Sequence, residues 1–233
     1  LERTEATSEL LRDQITENQG APFLADLYVQ LGDVLTQKSN ALYYLQQEKE
    51  KDVSQDAKFD KKYSPIVDAQ KEAIDVYEKV IAEFPDYKKR KEVLFKLAIG
   101  LRAIDEQVPF IDTCNKLIQK YPKSEERVKA QLLLGQNYFD KGRQDLALKE
   151  LLPVSKSAMA FERNAAKYRI GLIYYNRDQF KRSLDIFEEI ALDEELTNAD
   201  NPLEVRLENR SVGANLKREA LIDSVRAFTN HYK

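Results

Sequence analysis

The chain of 233 residues carries 37 basic and 40 acidic side chains, for a net charge of −3. So even a balance is not the electrostatic footprint of a nucleic-acid binder, and no run of about 18 apolar residues is present to span a membrane. With 42% hydrophobic and 33% charged residues but only 7 Gly and 7 Pro, the composition favours long helices with much surface over a many-turned β protein.

Residues 1–18 read as a helix with a weak apolar stripe at Leu10, Leu11 and Ile15, closed by Gly20-Ala21-Pro22. From Pro22, which suits a first helical turn, apolar residues recur at Phe23, Leu27, Leu31, Leu35 and Leu42. A helix over 22–48 would be roughly 40 Å long. Residues 48–62 are almost wholly charged or polar, the pattern of a solvated helix end and loop, with a docking loop as the functional alternative. Ser64-Pro65 restarts the chain, and a helix carrying Ala73, Tyr77 and Val80 closes at Pro85.

In the next unit Leu94, Leu97, Ala98 and Leu101 lie on a first helix, with Ile99-Gly100 read as a large-Gly pair. Phe110, Cys114, Leu117 and Pro122 mark a second helix, with Pro109 in its first turn. Phe110 stands where a small residue is expected, which predicts a splayed or shifted pair. Ser124 is a candidate N-cap for the following helix.

Residues 128–190 then say nearly the same thing twice. Leu134-Gly135, Tyr138-Phe139, Ala147, Leu151 and Val154 recur as Ile170-Gly171, Tyr174-Tyr175, Ser183, Phe187 and Ile190, always 36 residues on. In each copy a large residue, a glycine and an aromatic share one helix face. A turn follows, where Gly142 can take a left-handed conformation. The second helix alternates small and large, so the two helices interdigitate, and neither pair buries its stripe without a neighbour.

After Ile190 an acidic stretch reads as a loop. Asn201-Pro202-Leu203-Glu204 has the form of a capping box opening a short helix to about Asn209. A last helix from about Ser211 carries Leu216, Ala220, Leu221, Val225 and Phe228 as its stripe. It reads as a cap or as the first helix of a further repeat.

This wording resembles the tetratricopeptide repeat. A-Q-x-x-L-G-x-x-Y-F at 130–139 and A-x-Y-R-I-G-x-x-Y-Y at 166–175 are similar to repeats of bacterial cell-envelope proteins. F-P-x-Y-x-x-x-x-E-V-L-F at 84–95 resembles larger delta-proteobacterial proteins of outer-membrane assembly or gliding motility. The resemblance covers about half of the chain. It implies an all-α fold, a right-handed tetratricopeptide-like solenoid of antiparallel helix pairs. The expected division is a degenerate first repeat with its charged insertion at 1–85, three helix pairs at 86–191, and an acidic loop with terminal helices at 192–233.

In that family the first helices line a partner-binding groove. Counting from the glycine of each large-Gly pair, the implied groove positions are Leu97, Leu101 and Ile104 in the early repeat. They are Leu132, Gln136 and Phe139 in the next repeat, and Tyr168, Leu172 and Tyr175 in the last. An aromatic stripe at helical spacing is also a core pattern. Tyr138 and Tyr174 are expected in the core, with Phe139 and Tyr175 the most groove-exposed. The groove lacks the Lys/Arg carboxylate clamp of chaperone-binding relatives, so an acidic peptide C-terminus is not the expected ligand.

Nothing in the sequence points to catalysis, a cofactor or a metal. Cys114 reads as a small buried hydrophobe, and the single histidine, His231, sits near the last residue. One Cys and one His do not build a zinc site, and no phosphate-binding or dinucleotide motif is present. Glu188-Glu189 and Asp193-Glu194-Glu195 read as solvated surface, with a divalent-cation site as the alternative, and the basic run Lys88-Lys89-Arg90-Lys91 reads as a solvated loop, with a partner or lipid-headgroup contact as the alternative. The lone cysteine fits the cytoplasm, and a helical repeat in an oxidising compartment needs no disulfide either. The chain starts at Leu1 and its one methionine is Met159, so it reads as part of a longer protein.

The expectation is a non-enzymatic scaffold that binds a helix or extended segment of a protein partner, in a periplasmic or outer-membrane-associated complex, with the cytoplasm as the alternative. Two other readings stay open. One is an oligomerisation module built on the long and terminal helices; the other is the regulatory arm of an enzyme lying elsewhere in a longer chain.

Overall fold

The computed structural model describes residues 1–51, 64–198 and 203–232, and within them every regular element is a helix. The helices are α1 (Glu2–Glu17), α2 (Leu24–Lys51), α3 (Pro65–Glu83), α4 (Arg90–Ala103), α5 (Gln107–Lys120), α6 (Glu125–Asp140), α7 (Gln144–Val154), α8 (Ala160–Tyr175), α9 (Phe180–Leu192), α10 (Glu195–Asn198) and α11 (Leu203–His231). The chain divides into two compact units, Leu1–Pro122 and Lys123–Lys233. The sequence boundaries at 85/86 and 191/192 follow repeat wording; chain contacts divide at 122. The fold is all-α, with consecutive helices packed on one another within each unit.

Two N-caps form as their residue types dictate. The Ser64 hydroxyl accepts from the Val67 amide with Pro65 at the first helical position, and Ser124 accepts from the Arg127 amide. Helix α2 runs to Lys51, so the charged stretch read as 48–62 opens on a helix end; residues 52–63 lie outside the described residues.

Three helix pairs, α4–α5, α6–α7 and α8–α9, close through the same turn. Asp105, Gly142 and Asp178 each hold positive φ, at 61°, 72° and 57°. The next amide in each turn donates back to a helix carbonyl: Glu106 to Leu101, Arg143 to Tyr138 and Gln179 to Tyr174, at 2.8–2.9 Å. The turn residue itself donates to Arg102, Phe139 or Tyr175. This double closure satisfies carbonyls that the helix end leaves orphaned. Turns this short reverse the chain, so the two helices of each pair run antiparallel.

Inside a pair the glycine is the point of closest approach. A Cβ on Gly135 would lie 2.6 Å from Leu151, and one on Gly171 would lie 2.6 Å from Phe187. The first unit holds the same device: a Cβ on Gly32 of α2 would lie 2.5 Å from the Tyr77 ring of α3. Helix α2 thus packs on α3 as a first helix packs on its second, and Leu31-Gly32 is a large-Gly pair that the sequence reading did not single out.

The α4–α5 pair requires a correction of register. Gly100 does not face α5; a Cβ there would meet Gln70 and Ile74 of α3. The residue at the glycine's place is Ala98, 37 positions before Gly135 and fully buried. Ile99, read as the large member of the pair, is 42% exposed. Phe110, at the place of Ala147 and Ser183, is fully buried.

Helix α11 is also corrected. It runs unbroken from Leu203 to His231, with no break between Asn209 and Ser211. Gly213 lies inside it, a defect of about 1 kcal/mol relative to alanine that a helix of this length absorbs. Asn201 and Pro202 of the expected capping box lie outside the described residues.

Candidate protein-docking surface

The second unit has two successive cores. In the first, Ala147, Leu151 and Val154 of α7 meet Ala166 and Ile173 of α8. In the next, Leu184, Phe187 and Ile190 of α9 meet Ala220 and Ala227 of α11. Helices α8 and α11 therefore each rest on the pair before them, and burial within each unit decides which of the nine positions implied by the resemblance face solvent.

Leu97, Leu101 and Leu132 are buried, at 5%, 4% and 7% exposure, and offer no surface to a partner. Leu132 belongs to the core that α6, α7 and α8 share. For Leu97 and Leu101 the physical cause is the register slip: counted from Ala98, they occupy the core positions that Leu134 and Tyr138 hold in α6. Ile104 is half-buried at the C-terminal cap of α4.

Tyr168, Leu172 and Tyr175 are half-buried, and all three pack on the core that α11 completes. The Tyr168 hydroxyl donates to Asp223 Oδ2 at 2.7 Å, and Tyr175 Oη accepts from Asn230 Nδ2 at 2.7 Å. Burial, and then the hydrogen bond to the Asp223 carboxylate, pushes the Tyr168 hydroxyl above the ordinary phenol range, so it stays a donor into the alkaline range. This face of α8 holds a helix of its own chain.

Gln136 and Phe139 of α6 are half-buried. The Arg169 guanidinium lies 5.2 Å from the Phe139 ring centre, a cation–π arrangement that leaves a charged group beside an aromatic plane. Tyr138 and Tyr174, expected in the core, pack against it at its edge and remain half-buried.

At the other end of the unit a polar clamp closes α8 on α9. Arg163 donates to Asp193 and Glu195, both at 2.8 Å, and Asn164 donates to Asp193 at 2.7 Å. Burial raises the Asp193 carboxyl, but the hydrogen bonds from Arg163 and Asn164 more than offset it and hold the group below the usual carboxylate range. Lys167 pairs with Glu189 at 2.9 Å. The acidic run read as plain surface thus supplies an ion pair that fixes the end of α9.

The largest feature missed by sequence reasoning lies on α11. Leu216, Ala220, Leu221, Val225 and Phe228 look like one stripe but fall on two faces. Leu216 and Ala220 pack toward α8 and α9. Leu221, Val225, Phe228 and Tyr232 point away and are 52–67% exposed. The available signal was the spacing itself, since 216/220/227 and 221/225/228/232 are separate helical rows.

Cys114 is fully buried at the place that Leu151 and Phe187 fill in later pairs, and His231 is exposed at the end of α11. Among the described residues no group of acidic, His or Cys side chains is arranged to hold a metal ion, and no helix is long and apolar enough to cross a membrane. No protein-family model matches the chain, and no curated protein matches it.

Proposed function

We propose that the chain is a non-catalytic protein-interaction scaffold, a right-handed solenoid of tetratricopeptide-type helix pairs that holds a helix or extended segment of a partner protein. The observation that carries this reading is the threefold recurrence of one turn, at Asp105, Gly142 and Asp178, together with glycine-to-large contacts at equivalent places in the α6–α7 and α8–α9 pairs. Repeats of this kind stack into arrays whose first helices present a continuous surface.

The groove residue set is narrower than the sequence implied. It rests on Gln136 and Phe139 with Arg169 beside them, because buried leucines make no contact and α11 covers the last repeat's face. Aromatic and Arg side chains in such a setting are the common anchors of protein interfaces. In keeping with the sequence resemblance, the compartment proposed is the bacterial envelope, the periplasm or the outer membrane.

Photo-crosslinking from position 136 in intact cells, followed by separation of envelope and cytosol, tests this. The expected product is one partner adduct in the envelope fraction, lost with Phe139→Ala and not formed from Glu188 on α9. Equal products from both positions, or none, would overturn the groove assignment.

A second reading, an oligomerisation module, is favoured by Tyr43, Tyr44 and Leu45, which expose 42–68% of their surface along α2. Sedimentation velocity separates the two, since this reading requires a mass that rises with concentration.

A further inference from the structure

Helix α11 sits on α9 as α8 sits on α7. Ala166 and Ile173 of α8 enter the α7 core, and Ala220 and Ala227 of α11 enter the α9 core, both 54 positions later. The same offset carries the face of α8 that receives its own second helix onto α11. Lys167, Gly171 and Tyr174 become Leu221, Val225 and Phe228. On α8 this face is covered: Gly171 presses on Phe187, and Lys167 pairs with Glu189. On α11 the equivalent residues are exposed at 58%, 61% and 52%, and Tyr232 extends the row at 67%. A row of this length on one helix is the footprint of a second helix.

The charges around the row say which helix. Lys217 and Arg218 lie one turn before Leu221, one on each side of the row. Between Asn215 and Tyr232 the two carboxylates, Glu219 and Asp223, lie off this face. Asp223 is turned to Tyr168, and Glu219 falls on the opposite side of the helix. On α8 the cations at the same end, Arg163 and Lys167, meet acids at the C-terminal end of α9, Asp193 and Glu189. A second copy of α11 brings no carboxylate to this place: an antiparallel copy sets Phe228 and Tyr232 against the cations, and a parallel copy sets cation on cation. Val225 also forbids the close approach that Gly171 permits, so the occupant needs a small residue where α9 has Phe187.

We infer that the outward face of α11 is a docking site for a single amphipathic helix of a partner protein, bound antiparallel to α11 with acidic residues at its C-terminal end and a small residue facing Val225. This site is separate from the Gln136–Phe139 groove and can stand or fall without it.

The test uses the whole chain and a labelled peptide with the sequence of residues 178–196, carrying Phe187→Ala to clear Val225, read by fluorescence anisotropy. Saturable binding is expected, weakened at least tenfold by Val225→Asp and by the pair Lys217→Glu/Arg218→Glu, and unchanged by Phe139→Ala. A peptide with Glu188, Glu189, Asp193 and Glu194 changed to Lys should fail to bind. Val225 is solvent-facing, so its substitution leaves the core intact, which circular dichroism verifies. Absence of binding, or binding indifferent to Val225→Asp, overturns the proposal. So does a wild-type chain that sediments as a dimer and becomes a monomer with Val225→Asp, which would make a second copy the occupant.

Discussion

Gly171 and Phe187 meet so closely that a Cβ on the glycine would lie 2.6 Å from the Cε1 atom of the ring. The glycine is there for distance, not for backbone freedom, because it lies inside α8. Gly171→Ala gains up to about 1 kcal/mol of helix propensity but forces apart a packed pair at a cost of about 1–3 kcal/mol. The expected result is a net loss, seen as a lower midpoint in urea with an unchanged slope. Adding Phe187→Leu should recover part of it, so the double-mutant cycle yields a favourable coupling. Additive losses would mean that the two residues do not share a contact.

Tyr77 tests the first unit in the same way. Its ring covers Gly32, and its hydroxyl donates to Asp33 at 2.8 Å while Lys96 approaches both Asp33 oxygens at 2.6 Å. Tyr77→Phe removes only the hydroxyl and should cost about 1 kcal/mol, since Asp33 keeps Lys96. Tyr77→Ala empties the space over Gly32 and should cost about 3–5 kcal/mol. Chemical denaturation separates them; equal losses would place the stabilisation in the hydrogen bond.

These contacts also show how far the sequence could be read. The 36-residue echo of Gly135 and Gly171 is legible because both copies keep the glycine, the large residue and the aromatic. The α4 register is not, because Ala98 takes the glycine's place and a true glycine, Gly100, stands two residues on, facing the preceding helix. Leu31-Gly32 was hidden by the lack of a nearby second helix in sequence: Tyr77 is 45 residues away. The burial of Leu97 and Leu101 follows from that shifted register, and the burial of Leu132 from the packing of α8 on α6 and α7, which a one-helix wheel does not contain. On α11 two apolar rows lie side by side, and only the packing of α8 and α9 says which is covered.

The turns give a cleaner backbone test. Asp178 holds φ of 57° where Gly142 holds 72°. A left-handed conformation disfavours a residue with a Cβ, less so Asp than most. Asp178→Gly should therefore stabilise by about 0.5–1 kcal/mol, and Gly142→Ala should destabilise by about 1 kcal/mol. Thermal midpoints of the two variants should move in opposite directions.

The Asp193 clamp predicts a pH dependence of definite sign. Its carboxyl is held below the usual range in the folded chain. The stability it contributes is present above the unfolded value of about 3.9 and is lost as pH falls through the folded value. Asp193→Asn should cost about 2 kcal/mol at pH 7. The gap between wild type and variant should close below about pH 4. A gap that persists into acid would mean that the side chain acts by shape rather than charge.

The most direct measurement for the scaffold account takes the partner captured from position 136 and titrates it against the wild-type chain, the double variant Gln136→Arg/Phe139→Ala, and Val225→Asp. The account predicts saturable binding to wild type and a loss of at least tenfold for the double variant, with all three chains equally helical by circular dichroism. Binding that is the same for all three would contradict it, because neither the surface around Phe139 nor the open face of α11 would then be holding the partner.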